Sequence, residues 1–272
     1  MTATPLVRNA SVVDARKSLR ASVRLWALVA IAGQAAFALY IAWFYGGSTI
    51  TARYQRWNDV LVGGYVPGGT IGNLALGAHL LLAFVITVSG PLQLIAAIRR
   101  RAPRFHRWNG RAYVAAALAI TLSGLYAVWT RGTAGGSLLR VGISLDGLLL
   151  VVCVALALGE ARARRFASHR RWALRAFLLA SGVWFFRVGL MFWILTAGPV
   201  GIGADFDGPF VRLWSFGCYL VPLGALQLYL WAEARPAATR GYVTAAIMTG
   251  LAIATGAGAV GAVMGMFLPH LR

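Results

Sequence analysis

Ionisable and amide side chains inside apolar runs are costly in hydrocarbon, so function is the first question to ask of them. His79, Gly90 and Gln93 are 11 and 14 residues apart, close to whole numbers of turns at 100° per residue, and a helix puts them on one face. Asp146, Cys153 and Glu160 recur by sevens and share a face likewise. Arg187 follows His169 by 18 residues, five turns of a continuous helix. Counted from the ends of their apolar runs, His79 and Asp146 lie about 8 Å, and Arg187 about 14 Å, below one boundary. A cation at that depth needs an anion, and Asp146 is the one acid at comparable depth, so an Asp146–Arg187 ion pair is expected, with His79 beside it and Gln93 lining the same face. Because histidine titrates near neutral pH, such a cluster suits a proton relay or a pocket for a small polar ligand. The bland alternative is that the pair only holds two helices in register.

His106 and His169 form a second constellation, one at the start of each of two apolar runs. Two imidazoles from neighbouring helices can ligate a haem iron axially, and Arg107, Arg111, Arg170 and Arg175 can pair with its propionates. The same arginines suit anionic headgroups or a phosphate, and a histidine beside arginine at a membrane boundary also serves as a plain interface anchor. A two-haem arrangement needs a further histidine pair, and only His79 is there to supply it. The cofactor, haem b or none, therefore stays open.

The elements that must position these residues follow from composition. Hydrophobic residues make up 59% of the 272 and charged residues 12%, against about 25% charged in a soluble domain, and mean hydropathy is +0.70. No water-soluble surface can be built from that. Runs long enough to cross about 30 Å of hydrocarbon fall near 25–45, 74–97, 112–130, 142–160, 172–196, 210–232 and 242–267. The expected fold is an all-α membrane protein, a bundle of about seven transmembrane helices. The last run is rich in Gly and Ala, which suits close helix packing in lipid.

The net charge of +19 resolves by position. Nineteen of the 26 Lys and Arg residues fall on one side of the alternating runs, in the N-terminal tail, around 99–111, around 162–175, and at Arg235 and Arg240. Basic residues are retained on the cytoplasmic side, so the N-terminus is expected in the cytoplasm and the C-terminus outside. The basic excess then reads as a topology signal with affinity for anionic lipid headgroups, and nucleic acid is not an expected partner.

Three parts are expected: a basic amphipathic tail at 1–24, the bundle at 25–267 with its motif-bearing core at 74–190, and a short extracytoplasmic tail at 268–272. In the first, Val12, Ala15, Leu19, Val23 and Trp26 recur at helical spacing, and Ser11 to Asp14 has the form of a capping box. The spacing predicts a short separate helix lying on the membrane interface. The run after it is too long for a signal h-region. The connection from Gly46 to Asn73, with Tyr54, Trp57 and Tyr65, is expected to anchor in the headgroup region or to cap a site.

His106-Arg107-Trp108-x-x-Arg111-Ala112-Tyr113 echoes His169-Arg170-Arg171-Trp172-x-x-Arg175-Ala176-Phe177 after a one-residue insertion. Repeated hairpins are common in membrane proteins, so spans two and three are expected to correspond to spans four and five. No H-E-x-x-H, P-loop, G-x-S-x-G or C-x-x-C is present, so no catalytic residue is assigned. Cys153 and Cys218 read as buried thiols.

His79 with Gly90 and Gln93, the His106 to Tyr113 stretch, and His169 with Arg175 and Arg187 resemble the bacterial membrane-protein family named domain of unknown function 2306, over roughly residues 74 to 190. That resemblance implies a multi-pass protein of a bacterial cytoplasmic (inner) membrane and no established activity. The leading functional expectation is a small-molecule, ion or proton binding or transport-type protein with a polar site in the outer half of the bundle, at His79, Gln93, Asp146 and Arg187. Two rivals stay open: a b-type haem electron-transfer protein using His106 and His169, and a structural subunit of an oligomer or larger membrane complex.

Overall fold

A computed structural model describes residues 5–271 of the chain. Residues 1–4 of the expected basic tail, and Arg272 of the expected C-terminal tail, lie outside the described residues. Lipid offers no partner to backbone N–H and C=O groups, so a spanning segment must satisfy them within itself. Every regular element among the described residues is accordingly helical. The main helices are α1 (Pro5–Tyr40), α2 (Thr70–Leu94), α3 (Ala96–Arg101), α4 (Pro103–Thr130), α5 (Gly136–Arg162), α6 (Phe166–Ala180), α7 (Gly182–Ala197), α8 (Pro209–Ala234) and α9 (Ala238–Ala262). A π-helical turn (Ile41–Gly46) and a last α turn (Gly47–Ile50) extend α1.

Among the described residues six helices are long and apolar enough to cross a membrane, and α6 with α7, bent by 57° at a one-residue break, makes a seventh if the bent pair is one span. The expected all-α multi-pass bundle is the observed one. Two hairpins, α2 with α4 and α5 with α6, pack face to face through α4 and α5. The terminal helices α1 and α9 lie along each other in the most extensive contact of the bundle, and α9 also packs on α7. Small residues allow that approach: a Cβ at Gly241 would stand 2.8 Å from the Ala15 Cβ, and one at Gly33 2.6 Å from the Trp184 ring.

The separate interfacial helix is not found. Helix α1 runs unbroken from Pro5, so Ser11 and Asp14 lie inside it rather than at its start, and Asp14 pairs with Lys17 at 3.2 Å. At 1.5 Å per residue its 36 residues span about 54 Å, far more than the hydrocarbon needs. The amphipathic stripe packs on protein instead of lipid. Ala15 and Leu19 are buried, Leu19 against Ala232 and Ala245, and Trp26 Nε1 donates to Thr255 Oγ1 at 3.1 Å.

The long connection after α1 folds onto the helix ends. Trp57 is buried within it, and Tyr54 stacks on Tyr65. Arg131, just past α4, donates to the carbonyls of Gly63, Gly64 and Gly69 and to Asn73 Oδ1, while Arg56 reaches the His270 carbonyl.

Candidate functional site

His79 and Asp146 are brought together, though neither meets the partner that its spacing suggested. In α2, the side of the helix carrying His79, Gly90 and Gln93 faces α4, as the common-face argument requires. His79 Nδ1 lies 3.1 Å from Ser123 Oγ, and that hydroxyl gives its own hydrogen to the Ala119 carbonyl at 2.8 Å. The Ile120 carbonyl lies 3.2 Å from the same hydroxyl. A Cβ at Gly124 would come within 3.0 Å of the imidazole Cε1.

Asp146 lies ten residues into α5, about 15 Å from its start. The break between α6 and α7 decides its surroundings. Ser181 at the bend donates to the Phe177 carbonyl at 2.8 Å and accepts from Gln34 Nε2 of α1 at 3.0 Å. Gly182 then opens α7 directly against the carboxyl group: a Cβ there would be 2.5 Å from Asp146 Oδ2. Only glycine permits that approach, and it sets the positive end of the α7 dipole beside Oδ2. The other oxygen, Oδ1, is buried without a protein hydrogen-bond partner.

A cavity of about 130 Å³ lies between α1, α2, α4, α5 and the α6–α7 bend, and both His79 and Asp146 border it. Gln34, Tyr113, Thr121 and Ser181 supply further polar groups in a mostly apolar wall. The Tyr113 hydroxyl is buried and unpartnered like Asp146 Oδ1. A second cavity of about 150 Å³ lies on the other side of Asp146, towards α8, and Arg187, Ser215, Cys218 and Tyr219 line it. Asp146 belongs to both walls.

The expected Asp146–Arg187 ion pair does not form: no Arg187 nitrogen lies within the 4.0 Å that defines the ion pairs of the described residues. Arg187 instead places its guanidinium 5.3 Å from the centre of the Phe37 ring and donates from Nη1 to the Val183 carbonyl at 3.2 Å. Helix geometry gives the reason. Gly182 faces Asp146, and five residues later the helix has turned about 140° from that direction. The same break cancels the five-turn alignment of His169 with Arg187.

Gln93 also stands apart. At 14 residues from His79 it lies about 21 Å along α2, where its Nε2 donates to the His106 carbonyl at 3.2 Å. His106 and His169 open α4 and α6 at the basic face, with Arg99, Arg107 and His169 within electrostatic reach of His106. His169 Nδ1 lies 2.9 Å from the Ala157 carbonyl, and His106 Nδ1 is buried without a protein partner. Arg111 and Arg175 lie over Trp108 and Trp172 at 4.8 and 4.7 Å. Arg175 also donates to Gln227 at 2.9 Å, and Arg170 pairs with Glu233 at 3.4 Å. Two of the four arginines expected to meet propionates or phosphate are therefore engaged within the protein. No group of three His, Cys, Asp or Glu side chains suited to a metal occurs among the described residues.

Sequence reasoning passed over Gln34, Tyr113, Ser181 and Gly182. Tyr113 sat in plain view inside the repeated motif, and a Ser-Gly pair within an apolar span is a known cause of a kink. Gln34 carried the same signal as Gln93, an amide within an apolar run.

A family model described as "Predicted membrane protein (DUF2306)" matches residues 76–208. That stretch holds His79, Tyr113, Asp146, Gly182 and Arg187 and leaves out α1, α8 and α9. No curated protein and no solved structure matches the chain.

Proposed function

We infer that this multi-pass membrane protein, whose DUF2306 stretch carries both His79 and Asp146, binds a proton or a small polar ligand in the cavity between them, as a transport-type protein does. The observation that carries this reading is the convergence of an imidazole and a carboxyl group from different helices on one internal cavity with orphan polar atoms. A buried polar atom without a partner costs about 1–3 kcal/mol, and natural folds retain few such atoms. Here Asp146 Oδ1 and the Tyr113 hydroxyl are two such atoms, on residues that line the same cavity. The broken α6–α7 helix beside the cavity supports the reading as well, since transporters bind substrate and coupling ions beside discontinuous helices at repeat interfaces. The second cavity, which shares Asp146, offers a continuation of the path towards α8. On the charge count the basic face is cytoplasmic, the host is a bacterial cytoplasmic membrane, and Arg107 and Arg111 meet anionic headgroups there.

Infrared difference spectroscopy across a pH titration of the purified protein in bilayers tests the reading. A carboxyl C=O band that titrates, disappears in Asp146→Asn, survives in Glu160→Gln and moves in His79→Ala is the expected result. If no band change depends on Asp146, the acid exchanges nothing and the reading fails.

A further inference from the structure

Within that cavity, and resting on the reading just given, we propose that the ligand is a small organic amine held as its ammonium ion by Asp146. Four observations lead there. The first is that the acid is left without a cation. Arg187, the one basic side chain of α7, is turned to Phe37, and among the described residues no arginine or lysine nitrogen reaches the Asp146 carboxyl group. His79 and Tyr113 share one cavity wall with Asp146, and Arg187, Cys218 and Tyr219 share the other.

The second observation is that the carboxyl group has no hydrogen-bond partner among the described residues: Gly182 only packs beside Oδ2, and Oδ1 is buried without a partner. An ammonium group has three N–H donors and no acceptor. Asp146, Tyr113 and His79, which all line the cavity, are the side chains that can accept from them.

The third is the wall around those acceptors. Phe37, Tyr113, Phe177 and Trp184 border the cavity, and aromatic faces attract an organic cation as well as its apolar body. The fourth is size. About 130 Å³ is close to the roughly 150 Å³ engineered cavity that takes up benzene in another protein, so the ligand has a body no larger than a benzyl or short alkyl group. An amine of that size and a proton compete for one carboxylate, which is the arrangement an exchanger of the two requires.

The test is calorimetric titration of the full chain in nanodiscs with benzylamine, using benzyl alcohol as the neutral counterpart and empty nanodiscs as the blank. Saturable benzylamine binding that weakens on acidification, and that falls by about tenfold or more in Asp146→Asn, is expected, in keeping with loss of a charge-assisted hydrogen bond. Tyr113→Phe removes one buried oxygen without changing the shape of the wall, so it probes the site even if Asp146→Asn does not fold. It is expected to bind the amine several-fold more weakly. Equal binding of the alcohol and the amine, or amine binding indifferent to both substitutions, overturns the proposal, because the cavity would then recognise only the apolar body. No amine binding by a protein whose Asp146 infrared band titrates also overturns it, while leaving the polar-site reading intact.

Discussion

Trp108, Arg111 and Tyr113 in the first hairpin and Trp172, Arg175 and Phe177 in the second stand 64 residues apart, and both arginines lie over their tryptophans at nearly one separation. Tyr113 and Phe177 even converge on one residue, Gly90, where a Cβ would meet both rings at 3.0 to 3.2 Å. Carrying the same offset further up the helices exposes the difference. Ser123, the partner of His79, corresponds to Arg187, and Ala117-Leu118 corresponds to Ser181-Gly182. Upstream of the one-residue insertion the offset is 63, so His79 itself corresponds to Gly142, one turn from Asp146. In the first hairpin α4 is continuous, so Ser123 arrives facing His79 and the polar pair closes. In the second the helix breaks by 57°, Gly182 meets the acid, and the residue equivalent to Ser123 is swung towards α1. One hairpin satisfies its polar residue internally. The other leaves a carboxyl oxygen without a protein partner, on a residue that lines a cavity.

The comparison can be broken most directly at Gly182. Gly182→Leu drives a side chain into the space of Asp146 Oδ2 and is expected to cost about 1–3 kcal/mol, the usual range for overpacking. A fall in the thermal midpoint of the solubilised protein, together with loss of the Asp146 infrared band, would be its signature. An unchanged midpoint would mean that the close approach of α7 is not what holds the acid. Leu118→Gly, at the matching position of the unbroken copy, is expected to cost only about 1 kcal/mol as a helix-propensity effect, and to leave the Asp146 band in place. Were it as damaging as Gly182→Leu, the two positions would not differ in role. The smallest effect sharpens the comparison further. In a double-mutant cycle of Asp146→Asn with Arg187→Gln, the coupling is expected below about 0.5 kcal/mol, the additivity of sites that share no contact. Coupling well above that would restore the ion pair that the separation of these residues denies.

Much of this was legible in residue types and spacing. The His79, Gly90 and Gln93 face does turn towards one neighbour, and the depth argument put His79 and Asp146 on one cavity. Arg187 went astray because its argument assumed a continuous fifth span. Gln93 was misassigned because a common face says nothing of the 21 Å separating two residues along it. The fate of the amphipathic stripe before Trp26 was open in the same way. Lipid and a protein groove both welcome an apolar face, and only the presence of α8 and α9 beside it settles which one Leu19 meets.

Sequence alone determined the all-α multi-pass character, the position of the apolar runs, the concentration of basic residues in alternate connections, and the repeated His-Arg and Trp-x-x-Arg motif. These are decided by transfer of each segment between water and hydrocarbon, and that free energy depends on local composition. Tertiary structure alone decided who stands beside Asp146. Neighbours across a bundle depend on azimuth, each residue turns the helix by 100°, and a single break at Ser181 redirects every side chain beyond it.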